Sequence, residues 1–198
     1  FRAHTLLTSS TYGGLYVYLA LSAFAFIDVL QTSRTVYGVF MASLSLAYLG
    51  GTFLCRRALH RIGLIRTIRI GGWLSLSGGL GIALVAAAQF GLGWTVHPAA
   101  LLPGMWLYAI GHGIHQPCGQ TGVVAAFPKQ AGAASALSGF VLAGTAFAIA
   151  AVLSWWTSLP GWAGTLYPMT LGMGLGGVCT AWVALRRVQR DGLPRRSA

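Results

Sequence analysis

Four side chains within residues 98–117 recur at helical spacing: Met105, Tyr108, His112 and His115. On a helix they share one face. Thr8, Tyr12 and Tyr16 do the same within residues 3–27. A stripe of ring faces and soft sulfur can stack on a flat, lipophilic, often cationic molecule. Hydrogen bonding between packed helices accounts for the same residues equally well. Gln116 adds an amide beside His115. Histidine titrates near physiological pH, so His112 and His115 are candidates for proton transfer, with a buried neutral ring as the alternative. Two histidines three apart, with no carboxylate or thiolate close by, make a poor metal site, and no metal is expected. Cys118 follows at the same interval but is expected at a membrane edge.

The elements that must position these groups are legible from the charges. The chain has 13 Lys and Arg and 2 Asp and Glu in 198 residues. None falls inside six apolar blocks at 3–27, 36–55, 70–90, 98–117, 132–156 and 162–184. Arg2 precedes the first block, and Arg56, Arg57, Arg61, Arg66 and Arg69 lie between the second and third. Lys129 lies between the fourth and fifth, and Arg186, Arg187, Arg190, Arg195 and Arg196 follow the sixth. Arg34 alone lies in the other set of gaps. Cytoplasmic loops of membrane proteins keep Lys and Arg while the far side does not. Each block is long enough to cross about 30 Å of hydrocarbon as a helix, and only a helix or closed barrel satisfies its backbone there.

The expectation is therefore an all-α membrane bundle of six transmembrane helices, residues 1–185, with both termini cytoplasmic and a basic tail over 186–198. The tail would meet anionic headgroups or simply anchor the topology. The outer loops fall at 28–35, 91–97 and 157–161. Trp94, Trp155, Trp156 and Trp162 cluster there, where amphipathic rings prefer the headgroup level. Charged residues are 8% of the chain and hydrophobic ones 56%, against about 25% charged in soluble domains. The net charge of +11 follows the topology, so a nucleic-acid partner is not expected. Cys55, Cys118 and Cys179 match no metal or redox spacing and read as small packing residues.

No signal peptide is recognisable, because the first block is too long for one and no small-residue cleavage site follows. The chain begins with Phe1, so a piece of something longer, or a processed product, is expected. Many of the glycines lie within helices, and Ser135/Gly139 and Gly172/Gly176 have the spacing of small residues that bring helices together in lipid. The first and fourth helices carry most of the polar side chains. They occupy equivalent positions if the six helices form two sets of three, an arrangement found in secondary transporters. Asp28 is expected at the outer end of the first helix, and no carboxylate lies mid-span. An intramembrane serine protease is not supported: Gly132-Ala133-Ala134-Ser135 has the wrong spacing, and the histidines precede it.

Two segments carry a family resemblance. Gly111-His112-Gly113-Ile114-His115-Gln116-Pro117-Cys118 and the run Phe127 to Phe140 resemble the helix 10–11 region of bicyclomycin/chloramphenicol-type (Bcr/CflA) drug transporters, members of the major facilitator superfamily. Thr5 to Ser9, Tyr12 to Leu15 and Ser22-Ala23-Phe24 resemble their seventh helix, and Tyr37-Gly38 the start of the eighth. The resemblance implies the C-terminal half of a twelve-helix transporter in a bacterial inner membrane. It further implies export of small lipophilic drugs or metabolites, no cofactor, a proton gradient as the energy source, and a missing N-terminal six-helix half as partner. Its cavity would be lined by the first and fourth helices here, with Tyr12, Tyr16, Tyr108 and His112 contacting solute. Arg61, Gly63 and Arg66 resemble a degenerate copy of the superfamily's loop motif. His60 stands where that motif has Asp and Arg56 where it has Gly, so the usual charge pairing does not carry over. A complete six-helix channel or intramembrane enzyme is the alternative.

Overall fold

The computed structural model describes residues 1–93 and 95–191; Trp94, Arg195 and Arg196, which figure in the sequence reading, lie outside them. All regular structure among the described residues is helical. Helix α1 spans Arg2–Ala23 and runs on as a π-helical stretch, Phe24–Val29. Helix α2 is Arg34–Ile62, with the Ser33 side chain accepting from Val36 N at its start. Helix α3 is Leu64–Leu92, α4 is Leu102–Ala125, α5 is Ala131–Ser158 and α6 is Tyr167–Trp182. The last continues through a π-helical stretch, Val183–Arg187, to Val188–Asp191.

Several ends differ from the apolar blocks. The polar stretch 56–69, expected as a loop, is helical on both sides of Gly63, whose φ of 77° makes the whole turn between α2 and α3. The stretch from Arg186 to Asp191, expected as tail, is helical too. Hydropathy marks where a chain leaves hydrocarbon, not where its backbone hydrogen bonds stop. Arginine is a good helix former, and basic side chains in the last turn of α2, His60 and Arg61, suit the negative end of the helix dipole. Helix α4 likewise runs two turns past its expected end at Pro117, which lies inside it. Pro103, by contrast, sits in the first turn, where the missing N–H has no partner to lose. Helix α6 starts later than expected because Gly161 and Gly164, with φ of 84° and 75°, turn the chain first.

Five helical segments are long and apolar enough to cross a bilayer: Arg2–Val29, Arg34–Ile62, Leu64–Gln89, Pro128–Ser158 and Tyr167–Asp191. Helix α4 falls outside this set, although six spans were expected, because Tyr108, His112, His115, Gln116 and Gln120 lower its hydropathy. At 24 residues it has ample length, about 36 Å at 1.5 Å per residue. It is also sheltered, packing on α1, α2 and α3. The most apolar segment, Pro128–Ser158, has mean hydropathy 2.1 and is the least covered. Phe140 and Phe147 on it are 76% and 77% exposed.

The pairing of helices has a simple rule. Helix α1 packs on α4, and α3 on α6. Helices α2 and α3 pack on α4, as α5 and α6 pack on α1. Exchanging the first three helices with the last three returns these contacts, although the packing of α4 on α5 has no equally extensive counterpart between α1 and α2.

Glycines set the spacing. A β-carbon on Gly78 of α3 would lie 2.5 Å from Tyr108 N and 2.6 Å from Gly104 O on α4. One on Gly176 of α6 would lie 2.6 Å from the α-carbon of Gly14 on α1. Gly172, one turn earlier, meets Val17, so the Gly172/Gly176 pair faces α1 as a small-residue interface. The Ser135/Gly139 pair does not pack in this way: both residues are exposed and a β-carbon on Gly139 meets nothing within 4 Å. The reason is that α5 touches the bundle along its other side. Two glycines in helices should therefore behave oppositely. Gly78→Val is expected to destabilise the chain by about 1–3 kcal/mol through overpacking. Gly139→Val should stay within about 0.5 kcal/mol of the parent. Thermal loss of the monodisperse peak in detergent measures both, and equal midpoints for the two variants would contradict the packing.

Candidate functional site

Buried side chains divide along the bundle axis. One apolar cluster holds Val17, Leu44, Ile82, Ala109 and Met173. A second holds Leu7, Cys55, Ile68, Ile114 and Val183. Between them, buried polar residues occur on four helices: Thr11 on α1, Ser75 on α3, His112 on α4 and Thr180 on α6. A polar layer thus crosses the bundle between two apolar ones.

His112 is the centre of this layer. Its Nδ1 lies 3.2 Å from Thr11 Oγ1, which ties α4 to α1. Its ring centroid is 5.5 Å from that of Tyr48 on α2 and 6.4 Å from that of Tyr12 on α1. Tyr12 in turn stands 6.3 Å from Tyr16. The four rings form a chain across three helices. Beside it, α1, α2 and α4 enclose an open groove of about 380 Å³, lined by Leu15, Leu19, Met41, Leu44, Tyr48, Leu49, Ala109 and His112 among others. Tyr12, Tyr16 and Tyr48 are half-buried, and their hydroxyls make no hydrogen bond to another described residue. The arrangement offers π-faces, a soft Met41 sulfur and hydroxyl groups to a small, largely apolar guest.

The walls are fixed by local contacts. Tyr18, fully buried, donates to Met41 Sδ at 3.1 Å, joining α1 to α2. Ser22 Oγ and Tyr37 Oη, 2.8 Å apart, join the same helices nearer the loop. Trp106 Nε1 donates to Ser43 Oγ at 3.0 Å, joining α4 to α2.

The other residues singled out from sequence lie elsewhere. Met105 sits in the apolar cluster with Met169 and Met173. Tyr108 is buried beneath Gly14 and donates to the Thr11 carbonyl at 3.2 Å. His115 turns the opposite way from His112. Its Nε2–H donates to the Ile68 carbonyl on α3 at 3.2 Å, and its Nδ1 meets no hydrogen-bond partner among the described residues. Thr8 is buried against Gly119, and its hydroxyl donates to the Thr5 carbonyl at 2.9 Å. Gln116 is half-buried with Oε1 enclosed and without a described partner. Arg61 and Arg66 are exposed on either side of Gly63. Asp28 is exposed at the end of α1, where its backbone carbonyl accepts from Gln31 Nε2. Among the described residues no group of three His, Cys, Asp or Glu side chains gathers as metal ligands.

Sequence reasoning missed Tyr48. Hydroxyl groups on its helix, among them Tyr37, Ser43, Ser45, Tyr48 and Thr52, form no single stripe of rings, and such stripes were the guide. The overlooked signal is spacing: Met41, Tyr48 and Cys55 repeat every seven residues, which keeps them on one stripe of a helix.

Comparison with family profiles, with curated proteins and with solved structures finds no match to this chain.

The His112–Thr11 pair generates a quantitative expectation. His112→Leu and Thr11→Val should each lower stability, and the double variant should lose less than the sum. A coupling of about 0.5–1.5 kcal/mol is expected for one such hydrogen bond. Unfolding in mixed micelles of the four proteins of the cycle gives the number, and strict additivity would mean that the two groups do not interact.

Proposed function

We propose that this chain is the C-terminal six-helix half of a proton-coupled efflux antiporter of the major facilitator type, similar to the Bcr/CflA drug transporters. In this reading α4 crosses the membrane with the five apolar segments, and both ends lie on the cytoplasmic side of an inner membrane. The observation that carries the proposal is the polar layer with His112 at its centre. There His112 and Tyr48 line a groove between α1, α2 and α4, and Tyr12 and Tyr16 continue the row of rings beside it. Polar groups inside a membrane bundle are costly and mark solute or ion paths. Solute sites of repeat-built transporters lie near the midplane between the repeats. The exchange rule of helix packing supports such a three-plus-three construction. The resemblance of Gly111–Cys118 and Phe127–Phe140 to helices 10 and 11 supports the family.

The solute would be a small lipophilic drug or metabolite. Stacked tyrosines and a methionine sulfur favour a flat, often cationic one, at about 0.5–2 kcal/mol per ring contact. The N-terminal half would close the groove and carry the carboxylate for the main proton step, since Asp28 and Asp191 stand at helix ends and none lies mid-span here. Rocking of one half against the other would expose the site to each side in turn. His112, bound to Thr11 on one edge and facing two tyrosines, is placed to couple solute and proton.

Three outcomes follow. Full-length protein in liposomes should expel a lipophilic cationic dye when a proton gradient is imposed, and this chain alone should not; robust efflux by the chain alone would refute the assignment as a half and favour a complete six-helix protein. Tyr48→Ala in the full-length protein should weaken dye binding about 2- to 30-fold, the range of one ring contact, while Tyr48→Phe retains most of it. His112→Ala should change the substrate range or the pH dependence of efflux, and an unaltered resistance profile would count against His112. Orientation is checked separately: single cysteines at Arg61 and Arg190 should be labelled from the same face.

A further inference from the structure

Cys55 on α2 and Cys118 on α4, which sequence spacing gave no reason to pair, stand with their sulfurs 3.2 Å apart. Both are buried, at 1% and 0% exposure. The Cys55 thiol also reaches the Ile114 carbonyl of α4 at 3.6 Å, so its sulfur is held against that helix. Beside them the helix backbones are locked at close range. A β-carbon on Gly113 would strike the Tyr48 carbonyl, and one on Gly51 would strike Ile110. A disulfide has its sulfurs about 2.05 Å apart. Closing the gap takes roughly 1 Å of sulfur movement.

We propose that Cys55 and Cys118 are a dithiol that a small lipid-soluble disulfide oxidises to a covalent bridge between α2 and α4. The thiolate of one cysteine attacks the reagent's S–S bond, forming a mixed disulfide and releasing one thiol of the reagent. The second cysteine attacks the protein sulfur of that mixed disulfide, and the other half of the reagent leaves as thiol. Two electrons and two protons pass from the cysteine pair to the reagent, so the exchange balances. The pair lies in an apolar cluster with Leu7, Ile68 and Ile114, so a small apolar disulfide is the class of oxidant suited to enter beside it. The bridge lies about two helical turns from Tyr48 on α2 and from His112 on α4. It therefore fixes the separation of the two helices that flank the groove. The assignment rests on the sulfur geometry and holds whether or not the chain transports anything.

The test uses the chain in membrane vesicles with the exposed Cys179 replaced, Cys179→Ser, and dithiodipyridine as the oxidant. The expected result is release of two pyridinethiones per chain with no pyridylthio group left on the protein by intact mass. After proteolysis, the α2 and α4 fragments should stay joined until a reductant is added. Adding Cys118→Ser should leave one stable pyridylthio adduct on Cys55 and no joined fragments. Separate adducts on Cys55 and Cys118 would overturn the proposal. So would absence of reaction in vesicles when the same chain, unfolded in dodecyl sulfate, reacts fully.

Discussion

Lipid gives packed helices no hydrophobic reward over solvated ones, because acyl chains are as apolar as leucine. What remains is close contact of backbone against backbone, and that contact is the constraint on which the rest of this structure depends. Gly14 against Gly176, Gly78 against Gly104 and Tyr108, and Gly51 against Ile110 let α1, α6, α3, α4 and α2 approach without intervening side chains. Dispersion is weak per atom pair and falls off sharply with a gap. Removing a side chain at the crossing point therefore strengthens every neighbouring contact. The same economy of space leaves room for larger groups between crossings, where Tyr18, Tyr108 and Phe26 are fully buried.

Tight packing also makes the polar layer tenable. A hydroxyl or imidazole in hydrocarbon needs a partner within the protein. Many of the Thr and Ser hydroxyls find one in their own helix, as Thr8 does in the Thr5 carbonyl and Thr170 in the Leu166 carbonyl. The two histidines cannot, and each is served by another helix: Thr11 of α1 for His112, the Ile68 carbonyl of α3 for His115. Helix α4 is thus tied through its histidines to α1 and α3, and the same polar side chains lower its hydropathy.

The basic ends of the helices show a different balance. There Arg69 donates to Gln189, and Gln189 donates to the carbonyls of Ile65 and Ala184, so the start of α3 and the end of α6 are joined. Arg187 lies over the Trp182 ring at 5.0 Å. With two acidic residues in the whole chain, Arg69 has a side-chain amide and Arg187 a ring as partner, and helix continues into the polar region where apolarity stops.

The sequence by itself determined the all-helical class and five of the six apolar segments, and it singled out His112 of the four residues in the polar layer. It could do so because hydropathy and charge are properties of single positions read along a line. It assigned Tyr12, Tyr16 and His112 to faces of their helices, since that requires only the helical period. Which helix each face would meet was decided by the tertiary structure alone. Met105, Tyr108, His112 and His115 share a stripe in sequence, yet the neighbours around α4 send the first two into an apolar cluster and the histidines toward α1 and α3. The seven-residue repeat of Met41, Tyr48 and Cys55 puts them on one stripe of α2. That this stripe meets His112 and Cys118 became visible only when α2 was laid against α4, because contact between residues 63 positions apart is a property of crossing geometry.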